Sequence, residues 1–157
     1  MPGGRLIIIC GLPGSGKTTL ARQLAEQPDV VRYSPDEWMD DLALDLYDEP
    51  RRAAIETLQW QQAQHVLTLG GTAVIEWGTW ARSERDTLRQ GARALGAAAE
   101  LVFLDAPADE LFRRIALRDA ETPPITRDMV DSWLEALERP TAEELSLFDP
   151  PEGPTPA

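Results

Sequence analysis

Leu6-Ile7-Ile8-Ile9-Cys10-Gly11-Leu12-Pro13-Gly14-Ser15-Gly16-Lys17-Thr18-Thr19 is the stretch whose reading decides the fold. Its first five residues form a continuous apolar run rich in β-branched side chains, the pattern of a strand buried on both faces of a parallel sheet. From Lys17 to Gln27 the residues are good helix formers, with Leu20 and Leu24 on one face and Pro28 closing the segment. Between strand and helix, Gly11 to Thr18 matches G-x-x-x-x-G-K-[ST], in the context that its mechanism requires. The glycines let the backbone curl so that successive N–H groups point inward, and the helix adds its positive end. Both stabilise phosphate oxygens.

Gly11, Pro13, Gly14, Ser15, Gly16, Lys17, Thr18 and Thr19 are therefore the expected nucleotide-binding residues. Lys17 would bridge the terminal phosphates. Thr18 would place its hydroxyl on a magnesium ion, which prefers oxygen ligands. The competing reading is a glycine turn that only joins strand to helix. Of the 15 basic residues 14 are arginine, and the single lysine stands where a compact ammonium binds phosphate. A dinucleotide fingerprint fits less well, because Gly14-Ser15-Gly16 continues to Lys17-Thr18-Thr19 without a third glycine.

Outward from this unit, strands and helices keep alternating. Val30 to Ser34 reads as a second strand, and Ser34-Pro35-Asp36-Glu37 is a polar helix entry. Arg51 to Leu69 is the longest helical pattern, with Ala54, Ile55, Leu58, Val66 and Leu69 near one face. Ala73 to Glu76 is a third strand, Ser83 to Leu95 a helix ended by Gly96, and Leu101 to Leu104 a fourth strand. A helix from Ala108 to Arg118 precedes a mobile-looking loop, Asp119 to Ile125. Thr126 caps a last helix with the stripe Met129, Val130, Trp133, Leu134 and Leu137. The expected class is α/β: one domain over residues 1–148, right-handed crossovers, a parallel sheet with helices on both faces, and a flexible proline-rich tail at 149–157.

Composition limits what such a domain can bind. At 157 residues, with 43% hydrophobic and 27% charged, the chain is one ordered domain and not a disordered one. A net charge of -12 opposes non-specific binding to nucleic acid or an anionic membrane. Cys10 is the single cysteine, so no internal disulfide forms, and Leu6 to Cys10 is far too short to span a bilayer. These features predict a cytoplasmic address.

In an open parallel sheet the ligand sits at the carboxyl ends of the strands, which singles out residues just after strands two, three and four. Asp36 could accept the proton of an attacking hydroxyl, or simply cap a helix. Glu76 could support magnesium beside Thr18, or be an acid at a sheet edge. Gly78, Arg82 and Arg85 follow it, where a guanidinium could grip phosphate or acceptor, with an ordinary surface arginine as the default reading. Arg114 and Arg118 lie four apart on one helical face, a repulsive spacing unless an anion sits between them. A closing lid would supply that anion, although Asp119 and Glu121 could pair with them instead. Trp38, Trp77 and Trp80 flank the two acids and suggest an aromatic acceptor pocket. Trp60 and Trp133 read as core, and His65 as a core histidine. The acidic stretch Asp36 to Glu49 holds no base and would favour a neutral or cationic acceptor if it lined the mouth.

Together these residues resemble the small P-loop kinases grouped with chloramphenicol phosphotransferase, zeta toxins and the kinase domain of polynucleotide kinase. The phosphate loop carries the resemblance with Ser34 to Asp36, Glu76 to Gly78, Leu104 to Pro107 and the spaced arginines of the following helix. It implies a three-layer P-loop NTPase of the nucleoside-monophosphate-kinase-like kind, with sheet order 2-3-1-4-5 and a helical lid. It also implies ATP and magnesium as cofactors; acceptors in that family range from antibiotics to sugars and nucleic-acid ends, and the net charge of -12 makes a small-molecule hydroxyl the expected acceptor here. In this chain it gives the role of catalytic base to Asp36 and of lid arginines to Arg114 and Arg118. Glu76 stands where the family usually has aspartate, and Ser146 to Phe148 is left as the candidate fifth strand.

Overall fold

In the computed structural model, which describes residues 3–118 and 125–152, strand β1 (Arg5–Cys10) is paired in parallel on both edges. Its partners are β3 (Thr72–Gly78) and β4 (Ala98–Phe103), and β2 (Val30–Tyr33) pairs with the far edge of β3. The order is β2-β3-β1-β4. A central strand must be apolar toward both faces, which is why Leu6 to Cys10 are all buried.

Alternation along the strands divides the core. Leu6, Ile8, Ala73, Ile75 and Ala99 pack under α3 (Glu49–Thr68) and α4 (Arg82–Ala94). Ile7, Ile9 and Val74 face the other way, onto α1 (Lys17–Leu24). Cys10 and Leu12 join a third cluster with α5 (Ala108–Arg118) and α6 (Arg127–Ala136) at the carboxyl end of the sheet. Short helices α2 (Pro35–Asp41) and α7 (Ala142–Leu145) complete the chain. The three-layer α/β architecture read from the sequence is thus present. Among the described residues no helix is long and apolar enough to cross a membrane.

Two expectations are corrected. Ser146 to Phe148 is a turn and not a fifth strand: the N–H groups of Leu147 and Phe148 bond back to Glu144 and Leu145. Asp149 hydrogen-bonds to β4, donating its N–H to the Ala99 carbonyl (2.7 Å) and accepting the Ala99 N–H on its carboxylate (2.8 Å). Asp149 also pairs with Arg93, and Glu152 with Arg5. The rest of the expected tail, 153–157, lies outside the described residues.

The buried face of α3 is the second correction. It is Ile55, Gln59, Ala63 and Leu67, whereas Leu58 and Leu69 are 53% and 73% exposed. His65 falls on the exposed side, so it is no core histidine. The apolar residues of α3 are scattered, and the face that wins is the one where Ala63 permits close approach to the sheet. Buried Gln59 is stabilised there by accepting the Trp77 indole N–H at 2.8 Å.

Candidate active site

The turn between β1 and α1 is built from two left-handed glycines, Gly14 (φ 85°) and Gly16 (φ 102°), a conformation that a side chain would strain. Side chains of Ser34, Asp48, Thr126 and Thr141 cap α2, α3, α6 and α7, but none caps α1. A helix start without a side-chain cap can turn its positive end toward an anion, and beside it the buried Ser15 hydroxyl has no hydrogen-bond partner among the described residues. These features fit a polyphosphate. Pro13, Gly14, Gly16, Lys17, Thr18 and Thr19 line a cleft of about 1090 Å³ at the carboxyl end of the sheet. Gly11 and Ser15 are buried behind them, with the Gly11 N–H on the Gly78 carbonyl at 3.1 Å. Lys17 Nζ donates to the Leu12 carbonyl at 3.0 Å.

Glu76 is aimed by a bulge. β1 and β3 are in register from Arg5–Thr72 to Ile8–Ile75, but Cys10 next pairs with Gly78, so Glu76 and Trp77 together oppose Ile9. Glu76 turns toward α1 and accepts a hydrogen bond from the Thr18 hydroxyl on Oε1, while Trp77 turns toward α3. Oε2 of Glu76 accepts Nε of Arg32 at 2.7 Å, and Arg32 also donates to Glu37 at 2.6 Å. Thr18 and Glu76 offer hard oxygen atoms side by side, a donor set that fits magnesium with phosphate and water completing the shell. Arg32 was not anticipated; its signal was a charge at an inward register position of β2, opposite Val74.

Across the cleft, Asp36 stands in the first turn of α2, whose N-cap Ser34 accepts the Glu37 N–H at 3.3 Å. Its carboxylate pairs with Arg52 of α3, which also reaches Glu56 at 3.4 Å. Asp36, Arg52, Glu56, Glu49 and Glu84 all line the cleft. Burial is the main influence raising the Glu56 carboxyl; Arg52 opposes it, and Glu84, Glu49 and Asp36 add to it.

A family model described as AAA domain matches residues 6–140. The chain belongs to that AAA domain family. No curated protein resembles it closely enough to count as a match. Among solved structures, a chain of the Pnkp1/Rnl/Hen1 RNA repair complex is 22% identical with TM-score 0.74, covering 95% of this chain and 47% of that one. The AAA domain chain thus spans about half the length of that relative. A gluconokinase from Sinorhizobium meliloti 1021 is 22% identical with TM-score 0.55, covering 90% of this chain and 78% of its own. Chaetomium thermophilum Kti12, solved with ADP-AlF3, is 19% identical with TM-score 0.63, covering 88% and 82%. The fold is that of the P-loop kinases.

The remaining sequence candidates of this AAA domain fall in different places. Arg114 lines the cleft and donates to the Gly14 carbonyl at 3.1 Å, sharing Glu110 with Arg113. Those two guanidinium groups hold the Glu110 carboxyl down to about 2. Arg118 ends α5, and most of the expected Asp119 to Ile125 segment, residues 119–124, lies outside the described residues. Trp77 and Trp80 line the cleft, but Trp38 does not: it packs on the core edge-on to Tyr33. Trp133, expected in the core, joins the cleft wall beside Trp80 with ring centroids 6.2 Å apart. Arg82 is turned away, toward Glu143 and Asp86. Arg85 is fully buried against Glu144 rather than at the surface.

Proposed function

We propose that this protein is an ATP-dependent, magnesium-requiring kinase that moves the terminal phosphate to a hydroxyl of a small molecule. The observation that carries the reading is one cleft lined by both the phosphate loop, with its Thr18–Glu76 pair, and the Asp36 carboxylate. Lys17 and the α1 amides would hold the terminal phosphates, and Thr18 with Glu76 would hold magnesium, which supplies charge neutralisation when bound. Asp36 takes the acceptor's proton as its oxygen attacks the terminal phosphorus and the bond to the ADP oxygen breaks. Arg114, on the α5 side, stabilises the charge that spreads over the moving phosphoryl group. Transfer is direct, with no covalent intermediate on the enzyme.

The acceptor side of the cleft is acidic and aromatic. Asp36, Glu49, Glu56 and Glu84 line it with Arg52 among them, and Tyr47, Trp77, Trp80 and Trp133 supply ring faces. This supports a neutral or cationic, ring-bearing acceptor: an antibiotic, a nucleoside-like compound or a sugar. A second reading, a 5'-hydroxyl polynucleotide kinase, draws on the likeness to the RNA repair complex. The net charge of -12 weighs against it.

The test is incubation with ATP and a panel of amino sugars, neutral sugars, nucleosides and 5'-hydroxyl oligonucleotides, followed by mass measurement of each compound. The reading expects one small hydroxyl compound to gain a phosphoryl group. Gain on the oligonucleotide alone would favour the second reading, and ATP turnover that marks no acceptor would make the protein an NTP-driven switch instead.

A further inference from the structure

Arg85 and Glu144 are both 0% exposed, and their forked contact is held at 2.6 Å and 2.9 Å. A buried ion pair is weak evidence for stability, because apolar residues of similar volume often serve a core as well or better. What this guanidinium does hold is specific. Besides Glu144, its Nη1 donates to the Thr79 carbonyl at 2.7 Å and to Cys10 Sγ at 3.7 Å, and its Nη2 to the Glu138 carbonyl at 2.8 Å. With Nε and the second Nη2 hydrogen on Glu144, all five donors are used.

The two carbonyls belong to the segments that carry the aromatic wall of the cleft. Thr79 directly precedes Trp80. Glu138 follows the C-cap of α6, the helix that bears Trp133. The Glu138 N–H donates to the Trp80 carbonyl at 2.9 Å, closing the loop between them. Thr79 is a β-branched residue at φ 44°, a strained conformation that persists only where its surroundings over-determine it. Arg85 and the Cys10 thiol, both on the Thr79 carbonyl, supply that restraint. Glu144 lies beyond the residues matched by the family model, so the segment after that match provides the lock.

We propose that Arg85, locked by Glu144, is a positioning residue for the acceptor: it fixes the strained Thr79 turn and the end of α6 so that Trp80 and Trp133 form one wall. The part concerning the acceptor rests on the kinase reading above; the part concerning the wall does not.

Two tilted indoles this close couple in circular dichroism, and Trp80→Phe calibrates that couplet. The double variant Arg85→Met with Glu144→Leu removes both charges together and is expected to melt cooperatively, with the couplet lost. Its KM for whichever panel compound the wild type phosphorylates is expected to rise at least tenfold, with KM for ATP within twofold of wild type. Arg85→Lys, which keeps the charge but not the fork, is expected to weaken the couplet and raise acceptor KM by less; it decides the matter if the double variant does not fold. A folded variant with the wild-type couplet overturns the proposal, as does a rise of both KM values together. Should the wild type phosphorylate nothing in the panel, the kinase reading fails, and the couplet alone still decides whether Arg85 holds the wall.

Discussion

The Thr18 hydroxyl donates a hydrogen bond to the carboxylate of Glu76, tying the first turn of α1 to the bulged end of β3. The other oxygen of that carboxylate is held by Arg32. Glu76→Gln keeps an acceptor for Thr18 but removes the charge that favours a divalent cation. The magnesium concentration giving half-maximal ATP turnover is expected to rise roughly 10-fold or more, as it does when a metal's supporting carboxylate is lost. A magnesium titration with an unchanged midpoint would remove Glu76 from the metal site.

Asp36 is paired with Arg52 on the acceptor side of the cleft. Asp36→Asn is nearly the same size and cannot take a proton. Transfer to the acceptor is expected to slow by about 100-fold or more, with ATP affinity retained. Single-turnover measurements at saturating ATP check this, and a normal rate would show that another group is the base.

Arg114 is exposed and bonded to the Gly14 carbonyl, so it can be removed without opening the core. Arg114→Met is expected to lower kcat by about 1,000-fold if the guanidinium meets the moving phosphoryl group. The melting temperature should hold, since Arg113 still pairs with Glu110. A loss confined to stability would make Arg114 a brace for the loop and nothing more.

Glu56 gives the pH prediction. Its carboxyl is raised mainly by burial, so the folded state holds this proton more tightly than the unfolded state does. Stability from this group therefore falls as pH climbs from the unfolded carboxylate value, about 4.3, through the raised folded value, and stays lower above it. Glu56→Gln removes that loss. The Tm of the variant minus that of wild type is expected to grow as pH rises above the unfolded carboxylate value, and a difference that shrinks with rising pH contradicts the assignment.

The architecture was legible because its signals are local. Leu6 to Cys10 has the apolar, β-branched pattern of a doubly buried strand, the glycine spacing of the phosphate loop fixes its own turn, and Ser34-Pro35 announces a helix entry. What could not be read depends on which faces meet. Four-residue spacing on α3 fits several faces, and the sheet selected the one with Gln59 and Ala63. Trp38 and Trp80 look alike as sequence neighbours of acids, but Tyr33 draws one onto the core while Trp133 joins the other in the cleft. Arg85 resembled any surface arginine because its partners Glu138 and Glu144 lie more than fifty residues away.

Calorimetric titration of magnesium and a non-hydrolysable ATP analogue into the wild type and into Lys17→Ala bears on the central claim most directly. Saturable one-to-one heat is expected for the wild type and none for the variant, with both proteins melting cooperatively. A silent wild type, or equal affinity in the two proteins, would contradict a phosphate loop that grips a triphosphate through Lys17.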